Sequence, residues 1–395
     1  MSANRVLIMD DDPRVCRLFK RVAEGLGFEA FAIDNSSQFE SAYIGFEPDI
    51  ILLDLQMPGL DGVELIRYLV GQRTRAAVIL VSGVDKSVIE TTSRLGKSLG
   101  LNIVGSLIKP INIDDIKTLL REQFRETDVE QQEASPITKT DLARGIERNE
   151  ILVCYQAKVD LATSQIVGVK ALARWSHPRG ELILPNAFIP LAEETGLIRP
   201  LTYKVLDIAV QDVLMWQTRV PGLTVAVKLS AKMLNDLDLP DRVAKILDAY
   251  QFGPQRLILE VSESGAMESP ASTMDILARL RLKGIQLCIG DFGTGYSSLV
   301  QLYRLPFREL KVDKSFVMEA MKSDEAATIV RSTIELARSL NLKVVAEGVE
   351  DQSTYEWLAG LGCQECQGYY ISRPLEVPSF LSWLEEHDRD HRMPQ

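Results

Sequence analysis

Residues 50–58 read Ile-Ile-Leu-Leu-Asp-Leu-Gln-Met-Pro, a short apolar run that meets an acid at Asp54 and then a proline-bearing turn. Runs of the same kind lie on either side of it. Strands are expected at 5–10, 28–33, 50–55, 77–82 and 102–108, with helical patterns between them such as 13–26 and 62–69. Short apolar runs alternating with amphipathic stretches are the pattern of βα units around a doubly wound parallel sheet, the α/β class.

Beyond this sheet the chain turns polar at 121–140, REQFRETDVEQQEASPITKT, first continuing a helix and then breaking at Ser-Pro. The expected division is a first domain at 1–124, a linker at 125–140, a second domain at 141–387 and a polar tail at 388–395. The second domain carries eight further strand-like runs, at 151–159, 166–173, 224–229, 256–261, 286–289, 309–312, 343–346 and 368–371. A short polar turn joins the first two, which favours a hairpin, while helix-length segments separate the rest. Eight strands with helical crossovers in about 250 residues fit a TIM-type (β/α)8 barrel, here with an antiparallel first strand.

Composition narrows the function. In 395 residues, 46% hydrophobic and 25% charged, there is room for two or three domains and no sign of wholesale disorder. A net charge of −11, from 44 basic and 55 acidic residues, argues against a nucleic-acid-binding surface. Five cysteines do not make a disulfide framework. No stretch reaches the roughly 18 apolar residues that span a bilayer, and residues 1–10 lack a signal-peptide core, so a cytoplasmic protein without membrane contact is expected.

In the first domain Asp10 and Asp11 end the first strand, Asp54 the third and Ser82 the fourth, while Lys109 and Pro110 follow the fifth. A doubly wound sheet brings all of these to one edge. Carboxylates beside one lysine make a hard-oxygen Mg²⁺ site, with Asp54 placed as a nucleophile toward a phosphoryl donor. Ser82 and Lys109 would then contact the phosphoryl oxygens. Residues 4–124 resemble the receiver domain of bacterial response regulators. The resemblance implies phosphorylation of Asp54 by a partner histidine kinase. Ser106 stands where receivers usually carry the Tyr or Phe that reorients on activation.

In the second domain, Asp291-Phe-Gly-Thr-Gly-Tyr-Ser-Ser-Leu299 is a Gly-rich loop directly after a strand. With Tyr155-Gln-Ala-Lys158, Ala173-Arg-Trp-Ser-His-Pro178, Leu310-Lys-Val-Asp313, Ala346-Glu-Gly-Val-Glu350 and Gln367-Gly-Tyr-Tyr370, it resembles the EAL domain over residues 140–385. That family linearises cyclic di-GMP with two divalent cations on carboxylate and amide ligands. Here the signature Glu is Lys170, the Asn is Lys228 and the first Asp of a pair is Gly290, while Glu260, Asp291, Lys311, Glu347 and Gln367 match the family. A protonated lysine has no lone pair and glycine no side chain, so a catalytically inactive domain without a metal cofactor is expected.

Relative to the family pattern these three replacements add four positive charges, the charge that two absent divalent cations would remove. Lys170 and Lys228 would then stand in for the metals. The resemblance places Gln156, Arg174, Asp313 and Glu350 with them as contacts to cyclic di-GMP, and Glu263 as the brace of the Gly-rich loop; it also implies a homodimer. The alternative is decay, with Lys170 and Lys228 merely pairing with Glu260, Asp291 or Glu347. Cys363 and Cys366 have zinc-like spacing without a second pair and read as core, and His177 reads as structural.

The expected function is a two-component output protein whose receiver controls a cyclic di-GMP receptor, a module for an unidentified downstream protein, or both. An active receiver-regulated phosphodiesterase with an atypical metal site is the alternative, and a scaffold with an empty barrel a third.

Overall fold

The computed structural model describes the chain apart from residues 1–4, 58–61, 73, 75, 84–85, 114, 122–136, 181, 268–269, 294–298 and 393–395. Most of the expected linker and the centre of the Gly-rich loop therefore lie outside the described residues. The chain divides into two compact units, 1–135 and 136–395.

The first unit is built on β1 (Arg5–Met9), β2 (Glu29–Ile33), β3 (Ile50–Asp54), β4 (Ala77–Ser82) and β5 (Ile103–Ile108). They form one parallel sheet in the order β2-β1-β3-β4-β5. Successive side chains on a strand point to opposite faces. Leu7, Met9, Leu53 and Leu80 accordingly pack into one apolar cluster, and Val6, Ile8, Leu52 and Ile79 into another on the other face. Helix Pro13–Gly25 starts where Asp12 accepts a hydrogen bond from the Arg14 amide and Pro13 supplies a preset φ.

The second unit opens with helix Lys139–Glu147, whose Thr138 and Asp141 form a reciprocal capping box. Its strands are β6 (Ile151–Asp160), β7 (Ile166–Ser176), β8 (Leu182–Ile183), β9 (Thr224–Leu229), β10 (Leu257–Ser262), β11 (Gln286–Phe292), β12 (Glu309–Val312), β13 (Lys343–Glu347) and β14 (Glu365–Gln367). β6 runs antiparallel to both β7 and β14, which closes the barrel, and β7 and β9 to β14 are parallel neighbours in turn. The two-residue β8 is an arm on β7.

One expected strand is displaced. The closing strand is Glu365–Gln367, not 368–371. A side chain at Gly368 would come within 2.0 Å of the Val349 carbonyl oxygen, and the Ile371 and Ser372 amides donate back to the Gly368 carbonyl at 3.1 and 3.0 Å. The chain must turn there, so the apolar run after it cannot extend the sheet.

The barrel interior is layered by charge. Near the N-terminal strand ends, buried Lys158 lies 3.0 Å from Glu309 and 2.5 Å from Glu365. Ala226, Ile258 and Cys288 form a small apolar layer. A second charged layer lies at the opposite end. Among the described residues no helix is long and apolar enough to cross a membrane.

Candidate functional site

The parallel sheet of the first unit delivers Asp10, Asp54, Ser82 and Lys109 to one edge, since each follows or ends a strand in register with its neighbours. Asp10 and Asp54 are buried, and Lys109 Nζ lies 2.8 Å from Asp10 Oδ2 and 2.7 Å from Asp54 Oδ2. Burial raises Asp10 above the usual carboxylate range despite that ammonium. Burial alone would lower Lys109, but its hydrogen bonds to Asp10 and Asp54 hold it above its ordinary value. Ligand oxygens of Asp10, Asp11 and Asp54 all lie within 4.8 Å of one another. Several carboxylates against one ammonium are a donor set that fits a hard divalent cation.

At the C-terminal strand ends of the barrel, Lys170 from β7, Glu260 from β10, Lys311 from β12, Glu347 from β13 and Gln367 from β14 converge. Lys170 Nζ donates to Glu260 Oε1 at 3.1 Å and Glu347 Oε1 at 2.8 Å. Lys311 Nζ donates to Glu260 Oε2 at 2.5 Å and Glu347 Oε1 at 3.1 Å, and Gln367 Nε2 donates to Glu347 Oε1 at 3.1 Å. Glu260 and Lys311 are each 0% exposed. Burial would raise Glu260 and Glu347, but the ammonium groups of Lys170 and Lys311 prevail and hold both carboxyls below the usual range. Burial would lower Lys170 and Lys311, but Glu260 and Glu347 hold both above their ordinary value. The layer is a neutral quartet whose members satisfy one another.

The missing carboxylate at Gly290 has a structural counterpart. A Cβ there would stand 3.0 Å from Glu260 Cγ and Oε1, so the Glu260 side chain lies against the bare backbone. The β11 register against β12 shifts between Ile289 and Phe292. Asp291 next to it is held at φ 56°, the left-handed region that favours glycine. Such irregularities cluster beside functional sites. Glu263 Oε2 accepts from the Gly293 amide at 2.9 Å, at the start of the Gly-rich loop.

Lys228 pairs with Asp291 at 2.9 Å near the surface, with 53% of its side chain exposed. Together with the Lys170 contacts, this is the pairing that the sequence offered as the structural alternative. Above the quartet opens a cavity of 570 Å³ whose wall includes Gln156, Lys170, Arg174, Lys228, Asp313 and Glu350. All six residues implied as nucleotide contacts thus reach one cavity, although Arg174 donates to its neighbour's Ala173 carbonyl at 2.8 Å and Gln156 to the Ser372 carbonyl at 3.0 Å. Asp313 caps the following helix through the Ser315 amide at 2.8 Å. The sequence reading missed Leu172, Lys314, Met318, Tyr369 and Pro374 on the same wall. Leu172 ends the Lys170-Ala-Leu signature and Tyr369 lies in Gln367-Gly-Tyr-Tyr370, so a motif could have marked either. Cys363 and Cys366 are buried, as core residues; burial raises the Cys363 thiol to about 12.

A doubly wound receiver fold with an acidic edge, and a barrel whose first strand runs against its neighbours, define a receiver joined to an EAL domain. The EAL domain family matches residues 139–374 and the response regulator receiver domain residues 6–121; the chain belongs to the EAL domain family and carries a receiver ahead of that domain. It is similar over nearly its whole length to the cyclic di-GMP phosphodiesterase RocR of Pseudomonas aeruginosa: 31% identity over 403 residues, 97% of this chain and 99% of that protein. The bifunctional diguanylate cyclase/cyclic di-GMP phosphodiesterase MucR of the same organism is 42% identical over 243 residues, 61% of this chain and 36% of that protein. Among solved structures, the PaMucR phosphodiesterase in complex with c-di-GMP is 41% identical with a TM-score of 0.59, covering 61% of this chain and 98% of that one.

Proposed function

We propose that the protein is a two-component output protein in which phosphorylation of Asp54 controls an EAL domain that binds cyclic di-GMP without cleaving it. In the receiver, Asp10, Asp11 and Asp54 would hold Mg²⁺, which when bound neutralises charge between carboxylate and phosphoryl donor. Asp54 offers its carboxylate as nucleophile to a phosphohistidine of a partner kinase, Lys109 is within reach of the new phosphoryl oxygens, and Ser82 adds a hydroxyl at the same edge.

One observation carries the second half: an ammonium, Lys170, lies 3.1 and 2.8 Å from Glu260 and Glu347, two of the three carboxylates left for metal binding, and the third, Asp291, pairs with Lys228. A cation entering there would have to displace a buried, hydrogen-bonded charge, and Gly290 offers it no side chain. These residues do not fit a two-cation centre. Arg174, Lys228 and Lys314 on the cavity wall are donors for phosphodiester oxygens, and Arg174 carries a bidentate fork. In this reading the assembly is a homodimer and a further protein takes the output.

An active phosphodiesterase is the second reading, favoured by the name of the relative that spans the whole chain. One preparation separates the two. Calorimetry with cyclic di-GMP in EDTA is expected to show binding, and a product assay with Mg²⁺ and Mn²⁺ to show no linear dinucleotide. Chelator-sensitive turnover by the unmutated protein would establish the second reading, and no heat with no turnover would leave a scaffold.

A further inference from the structure

Ammonium and guanidinium groups at the barrel mouth suit the phosphates of a cyclic dinucleotide, and its two flat bases need a partner of different chemistry. We propose that Tyr369, backed by Arg373, is the platform on which one purine base stacks. The inference rests on the nucleotide-binding reading above.

Tyr369 lines the cavity and is nevertheless 51% exposed. The Arg373 guanidinium carbon sits 4.5 Å from the centre of the Tyr369 ring, while Arg373 is not part of the cavity wall among the described residues. The cation covers one face of a ring that itself lines the cavity, and a base is proposed to take the other face. A guanidinium over one face is attracted by the ring's π-electrons and fixes its plane, and nucleic-acid bases stack on such aromatic faces whatever their sequence.

The ring stands on a turn that cannot readily move. The Tyr370 amide donates to the Val349 carbonyl at 3.0 Å, and the Val349 amide to the Gln367 carbonyl at 3.2 Å. At Gly368 no side chain fits against Val349, and Gln367 is tied into the buried quartet through Glu347. A platform ordered before the ligand arrives loses little freedom on binding. Leu172, Met318 and Pro374 extend the apolar part of the same wall. The cavity therefore offers flat apolar surface beside cationic donors, which matches a ligand with two heteroaromatic bases and two phosphodiesters.

The test uses the full chain in EDTA, with cyclic di-GMP calorimetry and a cyclic dinucleotide carrying fluorescent 2-aminopurine in place of one base. The unmutated protein and Tyr369→Phe are expected to bind alike and to quench the fluorophore. Tyr369→Leu keeps an apolar side chain without the π face, so it should bind roughly tenfold or more weakly and lose the quench, with an unchanged melting temperature. Affinity and quench retained in Tyr369→Leu would overturn the platform, as would an equal loss in Tyr369→Phe or unquenched binding to the unmutated chain. No binding to the unmutated chain at all would instead overturn the nucleotide-binding reading and the platform with it.

Discussion

The receiver edge and the barrel mouth are assembled from the same two kinds of side chain in opposite proportion. At the receiver edge three carboxylates, Asp10, Asp11 and Asp54, cluster beside one ammonium, Lys109, which pairs with Asp10 and Asp54. In the barrel two ammonium groups, Lys170 and Lys311, face two carboxylates, Glu260 and Glu347. The first site has negative charge to spare and oxygens open to a cation. The second is closed on itself. Position at a strand end therefore does not decide chemistry; the local balance of charge does.

The largest contrast is expected from the acid at the centre of the first site. Asp54→Asn should abolish phosphoryl incorporation from acetyl phosphate and Mg²⁺, read by a mobility-shift gel. Labelling at the unmutated level would place the nucleophile elsewhere and break the receiver half of the comparison.

Next comes the closed site. Lys311→Met leaves Glu260 fully buried with only Lys170 to neutralise two carboxylates, and removing one partner of a buried pair costs about 3–5 kcal/mol. Urea unfolding of the second-unit transition reads this directly, and a loss below about 1 kcal/mol would mean that the quartet is not a network.

The same quartet sets a pH profile. Glu260 and Glu347 are held low, so their contribution is complete above the ordinary 4.5 and fades as the pH falls below it. Lys170 and Lys311 are held high, so theirs is complete below the ordinary 10.5 and fades only as the pH rises beyond it. Urea midpoints of the second-unit transition should show a plateau across neutral pH with losses at both extremes, and a quartet-dependent slope through neutrality, absent from Lys311→Met, would contradict the directions of these shifts. The smallest effect belongs to Lys228→Ala, which breaks an exposed pair and should change stability by less than about 1 kcal/mol, again by urea midpoint.

Much of this architecture was legible in the residues. Ile50–Asp54 and Ala77–Ser82 are continuous apolar runs because helices cover both faces of the sheet, so periodicity and burial agree. The closing barrel strand was misplaced by three residues because Glu365 and Gln367 are polar yet buried, 3% and 4% exposed, and face charged partners from distant strands. Lys158, Glu309 and Glu365 were likewise invisible as a group, since nothing local in sequence ties three residues on separate strands. Lys170, Lys228 and Gly290 stood out by departing from a motif; which carboxylates each lysine would choose needed the register of β7 against β9 and of β10 against β11.

The reversed direction of β6 has a consequence for how the barrel is made. Its pairing with β7 is a local hairpin that can form while the chain is still leaving the ribosome, but its other edge is completed by Asp160 meeting Glu365, roughly two hundred residues later. Until the final strand emerges, β6 presents an unpaired edge on which another nascent chain could dock. Closure is therefore a late event in synthesis, and translation stopped short of Glu365 would release a hairpin without a barrel.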